Sequence, residues 1–254
     1  MGRDLSLGKT FRKVSEEYDS ARTGYPEEVI DYILTQSGIG KDGRILDVGC
    51  GTGKATTVFA ERGYEVVGVD IGEELIAIAR RNTAGNPKVT YQVSKFENAN
   101  LDPESFDLVV SAQAWHWVDS EVGYQKVHDL LKREGHFSIL WKSQQYDQLE
   151  FLKELRKLYK KCCPKYCDPE APRVSEAEFP TNKLFCEFRK HEVEYTLDYS
   201  HERYVQYVST MSWVSSLESD AKKNFFFELS DLLAKQEETL TIPYKCKVMI
   251  AKKK

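Results

Sequence analysis

Short apolar runs alternate with helix-period stretches through the first half of the chain. Ile45 to Val48 and Val66-Val67-Gly68-Val69 are dense in branched residues, as strands buried on both faces are. Between them Lys54 to Arg62 read as a helix stopped by Gly63, and the second strand spans Glu65 to Asp70. Gly72 to Asn82 put Leu75, Ile76, Ile78 and Ala79 on one side of a further helix. Val89 to Val93 form a third strand and Phe106 to Val110 a fourth, the latter preceded by the turn Asp102-Pro103-Glu104-Ser105. A helix from Ser120 to Lys132, a stop at Gly135 and a strand from His136 to Trp141 follow. This alternation predicts a parallel sheet with helices packed on both faces.

Beyond residue 143 the pattern changes. Leu149 to Lys160 are amphipathic, with Leu152, Leu155 and Tyr159 on one stripe, whereas Pro164 to Pro180 are proline-rich, charged and irregular. Cys186 to Leu197 alternate as a strand. Glu202 to Leu217 read as one helix bearing Tyr204, Tyr207, Val208, Met211 and Val214. Phe225, Phe226 and Phe227 open another helical run, and Tyr244 to Ile250 alternate as the final strand. Upstream, Pro26 followed by Glu27 and Glu28 marks a helix start.

Composition narrows the class of protein. A chain of 254 residues, 41% hydrophobic and 30% charged, suits one α/β domain with an insertion. No apolar run approaches the roughly eighteen residues that cross a bilayer, and residues 1 to 11 lack the core of a secretory signal, so a cytoplasmic protein is expected. Net charge of −4 and a pI near 5.8 argue against a general nucleic-acid binder, which needs a basic face. Cys50 and Cys246 read as small buried residues, whereas Cys162, Cys163, Cys167 and Cys186 match no paired zinc spacing, and no metal is expected.

The chemistry concentrates where the first strand ends, at Asp47-Val48-Gly49-Cys50-Gly51-Thr52-Gly53. Glycines at alternate positions before a helix let a ligand approach bare backbone and helix amides. Asp70, closing the second strand, is placed to accept from both hydroxyls of a ribose. A dinucleotide fingerprint spaces its glycines differently and sets a pyrophosphate there. Asp47 would oppose such an anion and suits a sulfonium or ammonium group.

This stretch resembles motif I of the class I S-adenosylmethionine-dependent methyltransferases. The resemblance implies a Rossmann-like seven-stranded mixed sheet with its last strand antiparallel, helices on both faces and a helical cap formed by the C-terminal insertions. It divides a single domain into an N-terminal lid (1–40), a donor-binding core (41–143), a helical cap with one strand (144–238) and a closing strand (239–254). Tyr18-Asp19-Ser20-Ala21-Arg22-Thr23-Gly24-Tyr25-Pro26 is similar to a segment that closes over the donor in many small-molecule members, with Thr23 where proline is usual. By that likeness Tyr18, Arg22 and Tyr25 hold the methionine end of S-adenosylmethionine. Asp47, Gly49, Cys50, Gly51, Asp70, Ile71 and Ser111 complete the donor contacts. Lys95 stands where an acid is common, so the adenine falls to the Phe96 backbone and Glu97.

Trp115-His116-Trp117 directly follow the fourth strand and are expected to line a pocket, since two exposed indoles are costly. The stretch resembles the trans-aconitate methyltransferase-like group, with His116 as the candidate base and Trp115, Trp117, Tyr207 and Met211 shaping the acceptor site. Plain core packing is the competing role for each of these side chains. Because a sulfonium methyl is already activated, transfer chiefly needs the acceptor held at about 3 Å. An ionised carboxylate needs no base, whereas a hydroxyl benefits from an imidazole near neutrality. Methyl transfer to an oxygen of a small molecule is therefore expected, leaving S-adenosylhomocysteine, by a monomer or homodimer. The alternatives are a protein or nucleic-acid methyltransferase and a donor-binding module without turnover.

Overall fold

The computed structural model describes residues 19–166, 179 and 183–254. Its strands are β1 (Arg44–Val48), β2 (Glu65–Asp70), β3 (Val89–Val93), β4 (Phe106–Ala112), β5 (Leu131–Gln144), β6 (Phe185–Ser200) and β7 (Thr239–Lys253). They form one seven-stranded sheet in the order β3-β2-β1-β4-β5-β7-β6. Strands β1 to β5 run parallel to one another, and β7 enters antiparallel between β5 and β6. The parallel part is what the alternation of elements predicts, and the whole is the mixed Rossmann-like sheet that the resemblance implies.

Helices α1 (Glu27–Ser37), α2 (Lys54–Glu61), α3 (Glu73–Asn82) and α4 (Ser120–Leu130) belong to the first half of the chain. Strand alternation divides the core between two faces. Ile45, Val66, Leu108 and Val110 meet Val29, Ile30 and Ile33 of α1 and Phe59 of α2 on one side. Leu46, Val48, Val67 and Val109 meet Trp115, together with Tyr124 and Val127 of α4, on the other. Helix α1 begins after Pro26 with two glutamates in its first turn and ends at Gly38, whose left-handed backbone (φ 59°) donates to Leu34 O. In α3 the glutamates lie in the first turn and Arg80 and Arg81 in the last, both favourable to the helix dipole.

A cap of α5 (Glu150–Cys162), α6 (His201–Ser209), α7 (Ser212–Ser215) and α8 (Ser219–Leu233) covers one end of the sheet. Its seat is aromatic but bonded. Gln144 Nε2 donates to Tyr244 Oη (2.9 Å), Tyr204 Oη donates to Gln144 Oε1 (3.1 Å), and the hydroxyls of Tyr199 and Tyr244 lie 3.0 Å apart. Satisfying these buried polar atoms with one another spares the desolvation cost of leaving them alone.

Several boundaries differ from the sequence reading. The helix expected over 202–217 breaks, because Thr210 Oγ1 donates back to Tyr207 O at 2.7 Å and Met211 takes extended backbone. The helix expected to reach Lys132 stops at Leu130. Leu131 already pairs with Phe106, residues 132–135 bulge outward, and pairing resumes at Leu108 and His136. The last strand extends from Thr239 to Lys253 because it is paired along both edges, to β5 and β6. Tyr18, Cys167 and most of 164–180 lie outside the described residues. Among the described residues no helix is long and apolar enough to cross a membrane.

Candidate active site

Because β2 follows β1 on one side and β4 flanks it on the other, the chain leaves the carboxyl ends of β1 and β4 in opposite directions and opens a crevice there. The glycine turn occupies that crevice. Gly49, Gly51 and Gly53 have φ of 72°, 56° and 81°, a region costly for any residue with a Cβ. Gly49 N and Cys50 N both donate to Val69 O, at 2.8 and 3.1 Å, which ties the turn to the end of β2. A Cβ on Gly49 would lie 2.3 Å from that of Ala114, whereas one on Gly51 would meet nothing within 4 Å. Gly49 is thus a packing requirement, and Gly51 borders space. A cleft of about 490 Å³, part of it open solvent, lies along the turn and is lined also by Arg22, Tyr25, Asp47, Gln113 and Lys142.

Two carboxylates face this region. Asp47 is buried; its Oδ2 accepts from Thr56 Oγ1 at 2.7 Å, and its Oδ1 has no partner among the described residues. Burial pushes its pKa up to about 6, with the Asp70 charge adding to the rise and the Thr56 hydroxyl opposing it. Asp70 accepts from Gly72 N at 2.8 Å and Gly51 N at 3.0 Å, and burial raises its pKa against those amides. Each oxygen retains a lone pair for a further donor. An unsatisfied buried acceptor, a bare backbone and an oriented carboxylate together fit a cationic sulfur nucleoside.

Over the cleft lies the segment 22–25. Arg22 Nε donates to Thr210 Oγ1 at 3.1 Å, its Nη2 lies 3.3 Å from Met211 Sδ, and its guanidinium sits 5.0 Å from the Tyr207 ring centroid. Predicted donor and acceptor residues thereby meet at one wall. Lys142, on β5, donates to Thr23 O, Thr23 Oγ1 (2.9 Å) and Gly24 O (2.9 Å), with its Nζ 5.3 Å from the Tyr25 ring centroid. Burial, followed by the Arg22 charge, lowers its pKa to about 7. Lys54 pairs with Asp19 at 3.0 Å.

Other predicted residues stand at different distances from the cleft. Ser111 is buried and donates to Val48 O at 2.9 Å, joining β4 to β1. Phe96 is buried against Trp115, and Glu97 Oε1 accepts from Asp119 N at 2.8 Å. Trp115, 2% exposed, packs on Tyr124 and Phe137 beneath the sheet. His116 and Trp117 are half-buried beside it, their rings 4.8 Å apart, and Ile71 is half-buried after β2. Sequence reasoning missed Thr52, Lys54, Gln113 and Lys142, all of which line the cleft. A lysine directly after the apolar run of β5, where the strand nears its carboxyl end, was the available signal for Lys142. Gln113 has φ of 62°, and its Nε2 donates to Lys142 O at 2.7 Å. Cys50 lines the cleft within the glycine turn, whereas Cys163 is buried elsewhere and pushed up to about 12 by that burial, and Cys186 donates to Lys252 O.

Comparison with known proteins agrees with this geometry. A family model described as a methyltransferase domain matches residues 46–139. An uncharacterized methyltransferase of Mycobacterium tuberculosis is 30% identical over 232 residues, 91% of this chain and 88% of the relative. A solved structure from Anaeromyxobacter dehalogenans, assigned only provisionally as a type II methyltransferase, aligns with a TM-score of 0.64 at 22% identity, covering 91% of this chain and 97% of its own. A Haemonchus contortus phosphoethanolamine N-methyltransferase 2 holding phosphomonomethylethanolamine and S-adenosylhomocysteine aligns with a TM-score of 0.59 at 19% identity, over 98% of this chain and 59% of that one. Motif, fold, cleft and kinship converge: the chain belongs to the class I S-adenosylmethionine-dependent methyltransferase family.

Proposed function

We propose that this methyltransferase transfers a methyl group to an oxygen, carboxylate or hydroxyl, of a small organic molecule, as the trans-aconitate methyltransferase-like group does. The observation that carries the reading is the wall over the cleft, where Arg22 bridges to Thr210 and Met211 and stacks on Tyr207. An aromatic cap seated there suits a compact acceptor better than a polypeptide or nucleic-acid strand, which needs a broad charged approach. When bound, S-adenosylmethionine supplies an electrophilic methyl. The chain's own part is placement: Asp47, Gly51 and Asp70 hold the nucleoside, Arg22 and Tyr25 its methionine end, and the cap excludes water. His116 is assigned to take the proton of a hydroxyl acceptor.

The test is transfer of a tritiated methyl group from S-adenosylmethionine to panels of small acids, phenols, peptides and RNA. Labelled esters, which release the tritium in base, or ethers, which do not, support the reading. Label on peptide or RNA alone sinks it, and donor binding without label in any panel makes the protein a binding module. His116→Ala should slow methylation of a hydroxyl and spare that of a carboxylate.

A further inference from the structure

The segment 22–25 is held from two sides. From the cap, Thr210 and Met211, in the turn between α6 and α7, meet Arg22; from the sheet, a single lysine meets Thr23 and Gly24. Lys142 presents three N–H groups, and three oxygens receive them: the carbonyls of Thr23 and Gly24 and the hydroxyl of Thr23. All the donor capacity of the ammonium is therefore spent on one short stretch of chain. The base of the lysine is fixed as well, since Gln113 Nε2 holds Lys142 O and Gln113 N donates to Leu140 O at 2.9 Å.

The geometry points to Lys142 as a positioning residue that latches residues 22–25 across the donor cleft, taking over at Thr23 the rigidity that proline gives related enzymes. This rests on the donor reading of the cleft and acts through Arg22 and Tyr25. Proline would limit the loop by fixing φ and shrinking the ensemble of open conformations. Threonine leaves the backbone freer and adds a hydroxyl, the one side-chain oxygen among the three that Lys142 binds. The latch survives loss of the proton. A neutral amine still donates to both carbonyls and accepts from the threonine hydroxyl, which both donates and accepts. Burial beside Arg22 and Lys54 eases that loss.

The test uses full-length Lys142→Met, Lys142→Arg, Thr23→Val and the double variant Lys142→Met/Thr23→Pro. Amide hydrogen exchange over 22–25 is read without ligand, and S-adenosylhomocysteine affinity by calorimetry. With Lys142→Met, exchange at 22–25 should speed selectively while β1 and β4 stay protected, and product affinity should fall about tenfold, the usual scale for losing charged hydrogen bonds. Thr23→Val, which removes one of the three acceptors and keeps the lysine, should give a smaller change of the same kind. It serves as the test if Lys142→Met does not fold. Lys142→Arg should restore part of the protection, and proline at 23 should recover most of the affinity lost by Lys142→Met. Unchanged exchange at 22–25 in both Lys142→Met and Thr23→Val, or no recovery by proline, overturns the latch. Faster exchange in a protein whose wild type ignores S-adenosylhomocysteine supports the latch and overturns the donor reading instead.

Discussion

Two glycines in one turn should fail in different ways when each gains a methyl group. Gly49→Ala and Gly51→Ala share a backbone cost, since both sites have positive φ (72° and 56°), and left-handed backbone costs an L-residue about 1–2 kcal/mol. Their surroundings differ. The new Cβ at 49 would sit 2.3 Å from Ala114 Cβ, which has no rotamer by which to retreat, while the one at 51 meets nothing within 4 Å. Overpacking of that kind costs about 1–3 kcal/mol in addition. Because the backbone cost cancels in the comparison, Gly49→Ala should melt roughly 2–12 °C below Gly51→Ala, at about 2–4 °C per kcal/mol for a chain near this size. Binding should invert the order of interest. Gly51→Ala keeps its fold and places a methyl group in the cleft, so its affinity for S-adenosylhomocysteine should drop at least about tenfold, roughly 1.4 kcal/mol. Thermal melts followed by circular dichroism, with calorimetric titration of the folded variants, measure both. Equal melting temperatures, or full affinity in Gly51→Ala, would refute the assignment of Gly49 to packing and Gly51 to ligand.

The remaining predictions concern charge and the cap. The Asp47 pKa is raised to about 6, so the group's destabilising contribution is absent below about pH 4, grows as pH rises and is complete above about pH 6; two units correspond to about 3 kcal/mol. Asp47→Asn should therefore gain on the wild type in urea midpoint between pH 4 and 6, stay ahead at pH 8 and bind donor more weakly; a wild type as stable at pH 8 removes the cost assigned to that carboxylate. Asp70→Asn places an amide where two backbone N–H groups now find acceptors, and should cost about 1–3 kcal/mol in denaturant titration and weaken nucleoside binding. Gln144→Leu leaves the buried Tyr204 hydroxyl without its acceptor, so the melting temperature should fall by the equivalent of about 1–3 kcal/mol while affinity for S-adenosylhomocysteine stays near that of the wild type.

What could be read from the chain beforehand was what short-range chemistry dictates. Alternate glycines after an apolar run permit the left-handed turn found at no Cβ cost, and a carboxylate closing the next parallel strand must lie beside that turn because β1 and β2 are in register from Arg44 and Glu65 onward. The two sides of Trp115-His116-Trp117 were harder to tell apart. An indole after a strand is apolar whether it meets a substrate or a core, and the short helical turn at 115–117 sends Trp115 to Tyr124 and Phe137. The break at Thr210 was foreshadowed by Ser209 and Thr210, residues that bond their own backbone, but the periodicity of tyrosines and Val208 concealed it.

Lys142 marks the boundary of that kind of reading. Its partners are 118 and 119 residues away, and no local pattern selects them. They meet because β5 ends beside β4 at the same carboxyl end of the sheet where β1 releases the glycine turn, so the fold places a cation beneath whatever segment crosses the crevice. A lysine at the end of a strand usually reaches water, yet here the crossing segment leaves its carbonyls facing inward and leaves the head group three acceptors. Taken alone, a threonine where proline is usual frees the backbone at residue 23. Read with Lys142, it supplies the hydroxyl that completes the lysine's set, and a difference that looked like lost rigidity becomes half of a pair whose other half only the fold brings into reach.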